Sequence, residues 1–260
     1  MKRASDDEGA ENWFQDMYVQ RSRAADLAST YLLSERAFMT DFAERHQLTG
    51  PSLEIGCGSG MFADTLLGYI GMEYSLQSLT LPDFQEHDRV CADARWLPFA
   101  DANMQVIFSF NTLEHVPSVD LAFAEIDRVV APHGFIILRP AWHCARYVTE
   151  LIPQKRYREL NFRQKLVKLM LPVIKSRAYK LATRLPGRMW RELTTTKRDP
   201  LKYGTLIPYH GADWVADADA VASIDSHEGI MYFTKRGYRC LSHPTMAHRL
   251  LAGHDLAVFQ

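Results

Sequence analysis

Residues 53–60 read LEIGCGSG, an apolar Leu53-Glu54-Ile55 followed by glycines at 56, 58 and 60. Glycines at alternate positions let a backbone approach a ligand closely and take positive φ, so the stretch predicts a strand entering a ligand-holding turn. Residues 61–67 are predicted to continue it as a helix, offering unpaired N–H groups and a positive dipole end. The spacing is tighter than the dinucleotide pattern G-x-G-x-x-G, whose third glycine would fall where this chain has Met61. No Lys-Ser or Lys-Thr follows, which excludes a P-loop. A pyrophosphate thus lacks its standard cradle, and a tight strand–helix turn without a ligand is the competing reading.

What surrounds the turn repeats its pattern. Short apolar runs at 69–74, 90–91, 105–110 and 135–138 read as further strands, and the 3.6-residue spacing over 119–130 reads as a helix. Before the turn, residues 12–46 carry helical spacing in two segments, with Trp13 and Met17 in the first. Near the other end, residues 227–235 predict a helix ended by Gly237, and residues 238–244 and 254–260 predict two closing strands. Alternating strands and helices imply right-handed crossovers and a parallel sheet, which binds ligands beyond the carboxyl ends of its strands. Hydrophobic residues at 47% and charged residues at 23% suit a globular chain. There is no run of about 18 apolar residues for a membrane span and no signal-like apolar start. The four cysteines, Cys57, Cys91, Cys144 and Cys240, have no metal or disulfide spacing, so a cytoplasmic protein with free thiols is expected.

Two acids follow in register. Glu73 lies 13 residues after Gly60, at the end of the second strand, where an ionised carboxylate can accept hydrogen bonds from both hydroxyls of a ribose. Asp93 opens DARWLPFAD after the third strand and could take an adenine amino group, with Ala94 and Trp96 as an apolar wall. An exposed strand-end acid and a turn aspartate are the plainer alternatives.

Taken together, LEIGCGSG, Glu73, DARWLPFADANMQVIFSFNTLEHV and GFIILRPAW resemble the class I S-adenosylmethionine-dependent methyltransferases, in the family's order and spacing, over about residues 50–142. The resemblance implies an α/β fold: a Rossmann-like, doubly wound, seven-stranded, mostly parallel sheet with a helical insertion after strand five. It implies a helical segment over 1–48, a cofactor-binding core over 49–142, a basic substrate cover over 143–222, and a closing helix and strands over 223–260. It implies that Glu54, Gly56, Cys57, Gly58 and Gly60 surround the methionine part of S-adenosylmethionine, Glu73 its ribose, and Asp93 and Ala94 its adenine. Tyr74 would stack on or crowd the adenine, and Asn111, Thr112 and Leu113 would line the wall near the sulfonium. His115 falls at the family's L-E-H position, where the residue is architectural.

Methyl transfer to an enolate, thiolate or amine needs no base, whereas a hydroxyl acceptor calls for one, for which a neutral histidine suits. His143, in RPAWH just beyond strand five with Trp142 as a platform, is the first candidate, and His210 in IPYHGADW the second. A loop or supporting role is the alternative for each. Asp213, Asp217, Asp219 and Asp225 are spaced like helix caps and water-facing acids, so no metal is expected.

The chain's net charge is −1 but unevenly spread: residues 151–199 hold 14 Lys/Arg against three acids. Within them FRQKLVKLMLPVIKSRAYKLATRL (162–185) is a basic amphipathic helix pattern with Pro172 set to break or kink it. Three readings stay open: a lid packing its apolar side on the core, a peripheral membrane contact through residues 155–198, and a nucleic-acid surface, the last without any recognised module. Residues 201–238 resemble bacterial methyltransferases associated with surface-polysaccharide synthesis. The acceptor expected from this resemblance is a small molecule or glycan precursor, O-methylated as a saccharide or lipid-linked saccharide at the inner face of the membrane. A methyltransferase of a non-sugar metabolite and a non-catalytic cofactor-binding protein are the alternatives.

Overall fold

A computed structural model describes residues 33–80, 87–211 and 215–260. The predicted helix containing Trp13 and Met17 lies outside these residues, as does Asp213. The chain divides into two units, one of residues up to 110 together with 124–137, the other of 111–123 together with 138–260.

In the first unit, helix α1 (Leu33–His46) precedes strand β1 (Ser52–Ile55). Strands β2 (Tyr69–Glu73), β3 (Asp88–Cys91) and β4 (Met104–Phe110) follow, with the short helix α2 (Leu76–Leu79) after β2. β1 pairs in parallel with both β2 and β4, and β2 in parallel with β3. The chain therefore runs outward from β1 to β3 and returns to β4 on the other side. In open α/β sheets such a reversal is where ligands bind, beyond the carboxyl ends of the strands. Every residue of β1 is buried, and Val106, Ile107 and Phe108 of β4 are fully enclosed. Burying each such side chain contributes about 1.5–3 kcal/mol, which makes these strands a rigid base for what lies beyond their carboxyl ends. On α1, Phe42 packs edge-on against Phe135 at 5.0 Å.

Helix α3 (Val119–Val129) and strand β5 (Val130–Arg139) each pass from one unit into the other. In the second unit come α4 (Arg146–Thr149), α5 (Phe162–Lys175) and α6 (Arg177–Thr194). Strands β6 (Tyr203–Thr205) and β7 (Ala222–Ile224) form a separate antiparallel pair. Helices α7 (Ser226–Thr234) and α8 (Met246–Leu250) and strand β8 (Ala257–Phe259) complete it. Phe123, Phe233 and Phe259 stack in its core at 5.0–5.4 Å. Gly229 brings α7 close to Trp142: a Cβ there would stand 3.0 Å from the indole.

Four expectations are corrected. The main sheet has six strands among the described residues, in the order β3-β2-β1-β4-β5-β8, rather than seven. Of the expected closing pair only β8 is a strand. Residues 239–241 bond to 258–260, but Ser242 turns its hydroxyl to Val258 N–H and Pro244 has no N–H to continue a ladder. Residues 61–67 form successive tight turns in place of a helix, because Gly68, at φ 61°, must already reverse the chain into β2. The basic helix runs through Pro172 and breaks instead at Ser176, whose hydroxyl accepts the Tyr179 N–H and caps the next helix.

Candidate functional site

Gly56, Gly58 and Gly60 all take positive φ, at 78°, 51° and 73°. The N–H groups of Gly56 and Cys57 both donate to the Met72 carbonyl, which folds the turn back over β2. A Cβ on Gly58 would meet nothing within 4 Å, whereas one on Gly60 would run into the His87 ring. Of the two, Gly58 is the one whose bare face lies open.

Glu73 reaches this turn. One carboxylate oxygen accepts the Gly58 N–H at 3.2 Å, and the other accepts Tyr74 N–H at 2.8 Å and Ser75 N–H at 3.3 Å. Burial pushes the carboxyl up, and the three N–H donors counter it. Glu54 is also enclosed and accepts from the Tyr69 hydroxyl, and burial raises it well above the usual carboxylate range. Cys57 lies in the same interior, where burial and then the Glu54 charge raise its thiol. Ala94 is buried and Tyr74 and Trp96 are exposed. Asp93 is already engaged: it accepts the Arg95 N–H at 2.9 Å and holds the Arg95 guanidinium at 2.6–3.0 Å, and Arg95 in turn lies 4.7 Å over Trp96. An adenine amino group would have to share Asp93 with Arg95.

Beyond β4 the chain enters the second unit. Asn111 takes φ 49°, which asparagine tolerates, and donates to the Arg139 carbonyl. Thr112 and the buried Leu113 lead into a single 3₁₀ turn over Leu113–His115. Val221 N–H donates to the Glu114 carbonyl and brings the β6–β7 hairpin against this turn. His115 then stands with Nδ1 3.4 Å from an Asp219 oxygen and Nε2 3.6 Å from Glu114. Burial raises Glu114 and Asp217. His210 is exposed; partial desolvation lowers it, opposed by the Asp219 charge.

His143 is placed differently from a base beside an acceptor. At φ 65° its side chain is nearly enclosed, with Nε2 3.2 Å from the Ser226 hydroxyl and Nδ1 3.8 Å from Asp225. Burial lowers its pKa to about 3, with Asp225 opposing. Trp142 is no open platform either: it is buried and donates Nε1–H to the Asp255 carbonyl. Asp225 pairs with Arg188 at 2.7 Å and caps α7 through the His227 N–H. The contact that sequence reasoning missed is His115 with Asp219. Its members are remote in sequence, and one sits in the L-E-H stretch, for which the resemblance implied an architectural residue. Among the described residues no group of three or more His, Cys, Asp or Glu is arranged to hold a metal ion.

Residues 53–138 match the methyltransferase domain family. The chain is 29% identical over 142 residues to a malonyl-[acyl-carrier protein] O-methyltransferase of Methylovorus sp. (strain MP688), covering 46% of this chain and 48% of the relative. It is 35% identical over 94 residues to an uncharacterised methyltransferase of Mycobacterium tuberculosis, covering 33% of this chain and 37% of that one. The chain thus spans about half or less of the curated relatives it matches. A solved amino pentose methyltransferase, CalS10 of Micromonospora echinaspora with bound S-adenosylmethionine, is 19% identical with a TM-score of 0.41, covering 46% of this chain and 57% of that one.

Proposed function

We propose that this protein, whose residues 53–138 match the methyltransferase domain family, is an S-adenosylmethionine-dependent enzyme that methylates a hydroxyl of a saccharide or lipid-linked saccharide. One observation carries the cofactor site: the Glu73 carboxylate is bonded to Gly58 N–H where the Gly58 Cα faces open space. A carboxylate fixed beside a bare turn fits a ribose hydroxyl, since the oxygen bonded to Gly58 N–H keeps a lone pair for one further donor.

In this reading Gly56, Gly58 and Gly60 let the backbone close on the methionine part, with Glu54 and Cys57 enclosed beneath. Glu73 holds the ribose, and Asp93, Ala94 and Tyr74 the adenine. The family resemblance adds Asn111, Thr112 and Leu113, next along the chain from β4. The cofactor supplies an electrophilic methyl group on sulfur. The chain's residues orient it and exclude water, the effective-molarity contribution. A hydroxyl acceptor also needs its proton removed, and two candidates outside the enclosed His143 network are His115, against Asp219, and the exposed His210. In this reading the Asp219 carboxylate, 3.4 Å from His115 Nδ1, would support the positive charge that the imidazole gains on taking a proton. An O-methyltransferase among the relatives agrees with an oxygen acceptor. The basic surface described below supports a lipid-linked one, met at the inner face of the membrane.

The test is methyl-labelled S-adenosylmethionine with source-cell lysate, separated into organic, aqueous and macromolecular fractions. Label on a glycolipid or sugar is the expected result. Label only on phenols, amines or protein would overturn the acceptor, and cofactor binding with no label anywhere would overturn the enzyme.

A further inference from the structure

Helices α5 and α6 are built inside out. On α5 the exposed apolar residues are Phe162, Leu166, Leu169, Met170 and Val173, at spacings of four, three, one and three that trace one helical face. On α6 the exposed set is Tyr179, Met189, Trp190 and Leu193, again on one face, with Ala182 and Pro186 between them. Phe162 is 85% exposed, Trp190 68% and Leu193 78%. The opposite side of α6 carries the charges and is turned inward. Arg188 is buried on Asp225, Arg191 pairs with Glu228 at 2.7 Å, and Glu192 pairs with Arg249 at 2.8 Å. These inward pairs tie α6 to α7 and α8, so the outward apolar face is the docked orientation of the helix. A lid that packs its apolar side on the core would show the reverse.

The charge around these stripes selects what covers them. Between residues 151 and 202 nine Lys/Arg are exposed, against one exposed acid, Glu159. A second copy meeting this face about a two-fold axis would bring cations against cations. A nucleic acid would use the cations and leave the apolar stripes wet. An anionic bilayer uses both: phosphate headgroups meet the Lys/Arg, the acyl boundary takes Phe162, Leu169 and Leu193, and Trp190, Tyr179 and Tyr157 suit the interface between them. No helix of the described residues is long and apolar enough to cross a membrane, so the two helices would lie in its surface.

We infer that α5 and α6 dock the protein onto membranes rich in anionic phospholipid through their outward apolar faces. This deepens the reading of a lipid-linked acceptor and rests on it for the acceptor, while the docking stands on the two helices alone.

The experiment is flotation of the full chain with phosphatidylcholine vesicles, with and without phosphatidylglycerol, comparing wild type, Trp190→Ser/Leu193→Ser and Lys165→Glu/Lys175→Glu. Wild type is expected to float with phosphatidylglycerol vesicles in a salt-sensitive way. Each double variant should lose about tenfold or more of that partitioning with unchanged S-adenosylmethionine affinity by calorimetry, which shows it folded. Absence of wild-type flotation, or flotation equal in all three proteins, overturns the proposal. So does a wild-type dimer that the serine variant dissociates, which would assign the face to a second copy. Vesicle binding without methyl transfer to any acceptor would sink the enzymatic reading and leave the docking. Methyl transfer by a protein that never floats would do the opposite.

Discussion

The Glu73 carboxylate accepts the backbone N–H of Gly58 at 3.2 Å, joining the end of β2 to the middle of the glycine turn. Glu73→Gln keeps the shape but replaces a charged acceptor at Gly58, Tyr74 and Ser75 with a neutral amide. S-adenosylmethionine affinity by calorimetry should fall by about 1–3 kcal/mol. Unchanged affinity would remove Glu73 from the site.

Gly58→Val addresses the same turn from the other side. The new side chain would meet no protein atom within 4 Å but would sit at φ 51°, where a β-branched residue is strained, and would project into the open face. The variant should fold with a small loss of Tm and show no measurable cofactor binding. Retained binding would place the cofactor elsewhere.

His115→Asn and Asp219→Asn test the pair that the β6–β7 hairpin brings together. If the pair serves a hydroxyl acceptor, both variants keep cofactor affinity and lose about 10²–10⁴-fold in kcat. A loss in KM alone would make the pair a positioning contact.

Protonation of His143 opposes folding. Its folded pKa is lowered from 6.5 to about 3, so below pH 6.5 the unfolded chain takes up a proton that the folded chain refuses. Its contribution is complete above pH 6.5 and lost as pH falls toward 3, at up to about 1.4 kcal/mol per pH unit. Glu54 and Glu73 act with the opposite sign: their raised carboxyls favour the fold in acid and lose that contribution as pH rises through their folded values. Urea midpoints between pH 4 and 7 should therefore fall more steeply with acid in wild type than in His143→Gln. Parallel curves would contradict the burial of His143.

Arg188→Met strands Asp225 without its buried partner, and should destabilise the protein by about 3–5 kcal/mol in urea unfolding. Adding Asp225→Asn, which keeps the α7 cap, should recover a large part of that loss. No recovery would mean that the Arg188 bonds to the Leu250 and Ala252 carbonyls carry the effect instead.

What could be read from the chain was what is local. The glycine turn, the register of Glu73 and the buried run of β4 follow from periodicity and spacing, and each stands where those rules put it. The helix over 61–67 failed because helical spacing does not register how soon Gly68 must turn into β2. His143 looked available because its place beyond strand five was legible, while the Asp225–Arg188–Ser226 shell that encloses it comes from residues far along the chain. The orientation of α6 was hidden for the same reason. Its amphipathic pattern is plain, but which face turns inward depends on Asp225, Glu228 and Arg249, which no window around α6 contains.

The chain leaves the first unit after Phe110, re-enters it at Ala124 and leaves again after Ile137. The second unit is therefore not a cassette that recombination could exchange with one crossover. A graft of residues 138–260 onto a related core would bring Asp219 and Val221 but inherit residues 111–123, with a foreign counterpart to Glu114 and His115, from the recipient. Any lineage or laboratory that reshuffles this half must carry the 111–123 excursion with it, and a chimera without it begins by breaking the Val221–Glu114 bond.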